Sequence, residues 1–240
     1  MSVLLQAKQL EKTYRVGEVE TYALRGVDLD VTEGEFTAVA GPSGSGKSTL
    51  LHLLAGLDKP SKGEVYLEGE RIDTLSIAQL ANLRLANFGF VFQAYNLIPV
   101  LSALENAAFV LELQGVPKKE REARAMEALT VLDMDQYASR RPNQLSGGQQ
   151  QRVAVARALA SNPSVILADE PTANLDSTTG LALIEHMKRL NEQQGVTFLF
   201  STHDPRLLAH VKRIARVEDG KIVGEDSPQR EPELVASGAA

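Results

Sequence analysis

The sequence predicts an α/β fold, a mainly parallel sheet covered by helices, and three observations carry that prediction. First, a compact apolar run at Phe36–Ala40 passes through a glycine-rich loop into a helical stripe. That stripe has leucines at 50, 51, 53, 54 and 57 and closes near Gly56. Second, the last third repeats the alternation. Ser164–Ala168 reads as a buried strand, Ser177–Gln194 as a helix ended by Gly195, and Val196–Ser201 as another strand. Third, the stretch between them differs in kind, and residues 94–160 read as a mainly helical insertion. Strands alternating with helices are the pattern of a parallel sheet whose crossovers cover its faces.

The elements follow in order. The first third alternates short extended pieces with turns: besides Phe36–Ala40, Glu64–Glu68 alternates polar and apolar residues between Gly63 and Gly69. Phe88–Gln93 is strand-like. Gly115-Val116-Pro117 then opens a charged helix over Lys118–Asp133, with Met126, Leu129 and Leu132 at helical spacing. The mixed charges of Lys118–Glu122 read as a solvated helix face, with a docking surface as the alternative. Arg213–Val223 reads as a hairpin around Asp219-Gly220, and the tail from Glu225 as loose.

Composition narrows the function. The 240 residues are 43% apolar and 23% charged, which suits one elaborated globular domain. No stretch nears the ~18 apolar residues of a spanning helix, and the first residues lack the basic opening and cleavage site of a signal peptide. A cytosolic chain is expected. Without cysteines there is no disulfide, thiolate zinc site or cysteine nucleophile. A net charge of −6 disfavours a nucleic-acid partner, because phosphate neutralisation needs clustered Lys and Arg.

The loop Gly41-Pro42-Ser43-Gly44-Ser45-Gly46-Lys47-Ser48-Thr49 places two glycines four residues apart before Lys and Ser, between a strand and a helix. Its glycines let successive N–H groups turn inward, and the helix start adds positive potential at the same point, which makes an anion cradle. Lys47 suits terminal phosphate oxygens, and the Ser48 hydroxyl suits a hard cation such as Mg2+. The strand Ser164–Ala168 runs into Asp169-Glu170. Asp169 suits Mg2+ and Glu170 suits deprotonating an attacking water. Alone, two acids at a strand end are more often solvated loop chemistry; beside the glycine loop the functional reading prevails.

Leu145-Ser146-Gly147-Gly148-Gln149 opens a second helix with a free hydroxyl and bare glycine amides, and so a second anion site. Its chance occurrence in a chain of this length is on the order of one in several thousand. With Gln93 after a strand and His203 after the next one, these marks, in this order, resemble the ABC ATPase family over roughly residues 3–225. The stretches Gly17–Gly26 and Phe90–Pro99 resemble its macrolide-efflux and lipoprotein-release branch, from which Ala173 departs where glycine is common.

The resemblance implies a P-loop NTPase fold with a RecA-like, mainly parallel core, an N-terminal antiparallel β subdomain and a helical insertion. It implies one domain over 1–225, with a catalytic core at 1–93 and 161–225, a helical subdomain at about 94–160 and a flexible tail at 226–240. It implies ATP and Mg2+ as cofactors, the nucleotide being held by Gly41 through Thr49 of one chain and by Ser146, Gly147, Gly148 and Gln149 of a second copy. Lys47, Gln93, Glu170 and His203 then become the catalytic set and Ser48, Gln93 and Asp169 the Mg2+ ligands, with Gln93 sensing metal and water and His203 contacting the γ-phosphate. Taken singly, a lone His or Gln is more often structural. Tyr14 matches the adenine-stacking aromatic, with Tyr22 close enough to contest it, and either could be packing. Asn174-Leu175-Asp176 corresponds to a dimer-contacting loop, and Asp176 is equally a helix N-cap. Phe90–Val100 is a contact surface for a membrane partner or an ordinary buried loop.

The family also implies integral membrane permease subunits, an adaptor across the periplasm reached through them, and a place on the inner face of the plasma membrane. The rival functions are a non-transport ABC ATPase, acting in DNA repair or translation or regulating cell-wall enzymes, and a nucleotide-binding regulator that does not hydrolyse. Glu170 and His203 argue against the last.

Overall fold

A computed structural model describes residues 2–228. The chain opens with a correction to the short extended pieces expected there. β1 (Val3–Val16) and β2 (Val19–Thr32) form an antiparallel hairpin of two 14-residue strands. β3 (Phe36–Ala40) follows, and α1 begins at Lys47 and ends at Leu54, the chain turning away at Gly56 with φ 60, where the closure was expected. β4 (Lys62–Leu67), β5 (Glu70–Arg71), α2 (Ile77–Asn87) and β6 (Phe88–Val91) complete the first third, so the strand expected to reach Gln93 stops at Val91.

Three helices fill most of the middle: α3 (Ala103–Leu113), α4 (Lys118–Val131) and α5 (Gly147–Ala160), with 3₁₀ turns at Asp135–Tyr137 and Pro142–Gln144. β7 (Val165–Asp169), α6 (Ser177–Gln194), β8 (Thr197–Thr202), the short α7 (Pro205–Leu208), β9 (Arg213–Glu218) and β10 (Lys221–Asp226) follow. Glu225 and Asp226 are therefore strand residues and not loose tail: they pair with Ala215 and Ile214, and Arg213 grips Glu225 at 2.5 Å. The rest of the expected tail, from residue 229 on, lies outside the described residues.

The strands make two sheets. One is antiparallel, in the order β2-β1-β4-β5; the other, in the order β10-β9-β3-β8-β7-β6, is parallel except for β10. Both faces of the parallel sheet are buried, and side-chain alternation splits the core between them. Phe36, Ala38, Ile166, Ala168, Phe198 and Phe200 point into a layer with α3, α4, α5 and α6. Val39, Val165, Leu167, Leu199 and Val217 point into a layer with α1 and the antiparallel sheet. Phe36 meets Phe200 edge-on at 4.8 Å between ring centres, which locks β3 to β8.

The charged face of α4 is solvated, with ion pairs Lys118–Glu122 at 3.7 Å and Arg121–Glu112 at 3.0 Å. His186 of α6 is buried against the turn that follows α4, with Nε2 3.4 Å from Asp133 and Nδ1 2.9 Å from the Arg189 guanidinium. A guanidinium only donates, so Nδ1 accepts and the ring is neutral with its proton on Nε2. Burial, then the Arg189 charge, push this imidazole below its ordinary 6.5, with Arg152 acting in the same direction and Asp133 against it. A histidine depressed in the folded state binds more protons when unfolded, so its stabilisation is complete above pH 6.5 and is lost as pH falls through the folded value. Denaturant midpoints measured across this range are expected to fall on acidification in the wild type and to fall less in His186→Phe. Parallel pH profiles would exclude His186 as a cause.

Candidate functional site

The glycine loop sits where β3 ends and α1 begins, at the carboxyl edge of the parallel sheet, the edge at which open α/β sheets place ligands. Two positions require glycine. A Cβ on Gly41 would lie 2.1 Å from the Val217 carbonyl oxygen, and Gly46, the residue before α1, has φ 107 with the Ala23 carbonyl 2.5 Å from where its Cβ would be. The loop is thereby clamped between β9 and β2, and the Gly220 N–H donates to the Ser45 carbonyl at 3.0 Å. Lys47 is almost wholly buried, its ammonium donating to the Gly41 and Pro42 carbonyls at 2.8 Å each.

β7 delivers the acids and β8 holds them. Asp169, the last residue of β7, accepts from Ser48 Oγ at 2.8 Å and also from Ser201 Oγ. Glu170 follows with φ 47, a left-handed conformation costing a non-glycine residue on the order of 1 kcal/mol. It is held there by its N–H donating to the Ser201 carbonyl at 2.9 Å. The turn swings the carboxylate over the loop: Oε1 is 2.8 Å from His203 Nδ1 and 3.9 Å from Lys47 Nζ, while Oε2 is buried with no hydrogen-bond partner. Ser45 Oγ is likewise buried and unpartnered. His203 is two-thirds exposed where Glu170 is not (66% against 14%), so the pair is fixed at one end and open to solvent at the other.

Lys47, Ser48, Asp169, Glu170 and His203 thus come together. Gln93 does not join them by any hydrogen bond among the described residues; its exposed side chain follows β6, and its carbonyl accepts from Asn174 Nδ2 at 2.9 Å. Tyr14 donates to Asp58 at 3.0 Å and carries Lys12 over its ring at 4.8 Å. Burial, then Asp58, raise its phenol from 10.0, partly offset by the Thr49 hydroxyl; its bond to Asp58 joins it to the segment that follows α1. Tyr22 is turned instead to Glu20 of its own hairpin, at 2.9 Å.

The second helix start is intact but separate. Ser146 caps α5, accepting from Gln149 N–H at 3.3 Å while Gln149 accepts from Ser146 N–H at 2.9 Å. A Cβ on Gly147 would meet the Tyr95 hydroxyl at 2.7 Å, and one on Gly148 would meet Thr179 Cγ2 at 2.0 Å, so α5 starts packed on the loop after Gln93 and on α6. Among the described residues no hydrogen bond or ion pair joins Ser146–Gln149 to Gly41–Thr49. Asp176 is the N-cap of α6, accepting from the Thr178 and Thr179 amides at 3.0 Å.

Three contributors carry no signal in the sequence. Ser201 shares Asp169 with Ser48. Gln151, fully buried in α5, donates to the Pro171 carbonyl at 2.9 Å and more weakly to that of Phe92 at 3.4 Å, tying the loop after Glu170 to the end of β6. Arg157 donates to the Asn96 and Tyr95 carbonyls, at 2.5 and 3.1 Å, and so holds two residues at φ 50 just after Gln93. Polar residues six positions apart on α5 do not tell which loop they will meet.

The donor set fits a nucleoside triphosphate with a hard cation: amides and an ammonium around a loop, a hydroxyl and carboxylate sharing one point, and a buried carboxylate oxygen lacking a partner. Similarity to known proteins points the same way. A family model described as ABC transporter matches residues 24–173. The chain is 49% identical to an uncharacterized ABC transporter ATP-binding protein of Thermotoga maritima, covering 93% of this chain and 95% of that one. It is 44% identical to the macrolide export ATP-binding/permease protein MacB of Syntrophobacter fumaroxidans over 94% of its own length, but spans only 33% of that protein. Among solved structures, the ATP-binding cassette MJ0796 of Methanocaldococcus jannaschii is similar, in a dimeric post-hydrolysis state bound to ADP and Pi. Its TM-score is 0.88 at 44% identity, covering 95% of this chain and all of that one.

Proposed function

Because this chain belongs to the ABC transporter ATP-binding family and is an ATPase of that type, we propose that it energises separate integral membrane permease subunits by closing on a second copy of itself around ATP. The observation that carries the proposal is that two helix starts, the glycine loop and Ser146–Gln149, are each preformed yet share no hydrogen bond or ion pair among the described residues. Each lacks an opposite wall, and a head-to-tail pair supplies two.

In this reading the loop amides and Lys47 hold the phosphates, and the partner's Ser146, Gly147 and Gly148 close over the terminal one. Ser48 and Asp169 would hold Mg2+, with Gln93 as a further ligand. When bound, Mg2+ neutralises charge on the phosphate oxygens. Glu170 takes the proton of the attacking water, with His203 orienting its carboxylate and reaching the γ-phosphate. Tyr14, joined to the segment after α1, is the better-placed aromatic for the adenine. In this reading the membrane partners are of the export, lipoprotein-release or mechanotransmission kind, at the cytoplasmic face, with a periplasmic adaptor reached through the permease; similarity to a macrolide export ATP-binding/permease protein supports the export kind. No helix among the described residues is long and apolar enough to cross a membrane.

An apolar groove suits contact with the permease. Phe90, Phe92, Phe109, Leu113 and Arg157 line an apolar groove of about 240 Å³ between the end of β6 and α3, continuous with the loop that carries Gln93. Leu113 is 58% exposed there and stands apart from the nucleotide residues. Leu113→Glu is expected to abolish co-purification of the chain with an integral membrane protein from native membranes while leaving ATPase activity of the isolated chain within twofold or so of wild type. Undiminished co-purification would remove the groove from this role.

A further inference from the structure

The helix start of α6 is a junction that the nucleotide chemistry above does not use. Thr179 packs on Gly148 of the second anion site, and the next residue, Gly180, packs on the guanidinium of Arg206, three residues after His203. Arg206 is bound on two sides. Its Nε and Nη2 hold the Asp204 carboxylate at 3.0 and 2.7 Å, and its Nη1 reaches over to the carbonyl of Asp176, the α6 cap, at 3.3 Å. Asp204 in turn accepts from the fully buried Thr172 at 2.6 Å, two residues beyond Glu170. Burial acts to raise the Asp204 carboxyl, but the bonds from Arg206 and Thr172 outweigh it and hold it below the ordinary carboxylate value.

One planar side chain therefore bridges three loops: the turn after Glu170, through Asp204 and Thr172; the loop carrying His203, through its own backbone; and Asn174–Asp176, through the Asp176 carbonyl. We propose that Arg206 is a positioning residue for hydrolysis, fixing the Asn174–Asp176 loop relative to Glu170 and His203. It touches no nucleotide-binding residue, so its work is in the rate and not in ATP affinity. The proposal rests on the ATPase reading of the site.

Gly180 makes the bridge testable without deleting it. A Cβ there would lie 2.9 Å from Nη1, 3.2 Å from Cζ and 3.4 Å from Nη2, all at the movable end of Arg206. Gly180→Ala should therefore push the guanidinium off the Asp176 carbonyl while Asp204 keeps its partner, and alanine within a helix is itself stabilising relative to glycine. Arg206→Gln removes both halves. Steady-state ATPase kinetics and thermal melts on the wild type, Arg206→Gln and Gly180→Ala test this.

Both variants are expected to lose about tenfold in kcat, the scale of a catalytic group displaced by a fraction of an ångström, with KM for ATP unchanged. Gly180→Ala should melt at or above the wild-type temperature. A Gly180→Ala enzyme with wild-type kcat would overturn the proposal, and so would one whose loss lay in KM; should Arg206→Gln fold poorly, Gly180→Ala alone decides. A wild-type chain without ATPase activity would instead defeat the ATPase reading itself.

Discussion

Glu170→Gln is expected to slow ATP turnover by about 100- to 10,000-fold, the range general-base catalysis supplies, while ATP still drives the chain into dimers. The geometry explains why so small a change has so large an effect. The carboxylate is held by a strained backbone at φ 47 and by His203 at 2.8 Å, so an amide of the same shape occupies the same place. What it loses is the capacity to accept a proton. The buried Oε2, which no protein group satisfies, is the atom left for a water. Lys47 keeps the Gly41 and Pro42 carbonyls and Ser48 keeps Asp169, so binding survives. Single-turnover hydrolysis together with size-exclusion chromatography in ATP separates the two effects; turnover near wild type would remove Glu170 from the role of base.

The site was legible in the sequence to the extent that its chemistry is local. A phosphate cradle needs glycines, Lys and Ser at fixed offsets along one strand–loop–helix, and a capped helix start needs Ser three residues before Gln. Both therefore survive as strings. Contacts made across the fold leave no such trace: His203 and Glu170 lie 33 residues apart, as do Thr172 and Asp204 at 32, and their meeting depends on β7 and β8 being neighbours. The same distinction divides the fold. β3, β7 and β8 are mainly apolar runs because both faces are buried, and such runs are visible in sequence.

β1 and β2 are as long as any strand here yet read as fragments. Register shifts between Ala7 and Leu10, with Gln9 at φ 47, and again between Lys12 and Thr13, break the two-residue alternation that marks a strand. α2 is silent in the sequence for a related reason: only Leu80 of its eleven residues is buried, so it has no apolar stripe to recognise. Its start is set by a Ser76–Gln79 capping box instead. Glu225 and Asp226 resemble tail because their polar side chains give no core signal; what orders them is pairing with β9 and the guanidinium ions of Arg213 and Arg216.

A chain disabled at Lys47 and a chain disabled at Ser146 are each expected to be inactive, and their mixture is expected to recover activity. Removing the Lys47 ammonium deletes a charge-assisted contact of about 1.5–3 kcal/mol, or roughly 10- to 150-fold in nucleotide affinity. Ser146→Arg removes the α5 cap, at a cost of ~1 kcal/mol, and obstructs the helix start. That helix start is solvent-exposed at Ser146 and held in place from behind by Thr179 and Tyr95, so it is preformed and open to solvent. If each site takes its loop from one chain and its Ser146–Gln149 from the other, a heterodimer of Lys47→Ala with Ser146→Arg concentrates both lesions in one site and leaves its second site wholly wild type. If each chain instead completed its own site, every site in the mixture would carry one lesion. Measuring ATPase activity of the two variants, alone and after mixing, with differently tagged chains to verify heterodimers, decides between these arrangements. Verified heterodimers no more active than their parents would show that the two anion sites do not share a nucleotide.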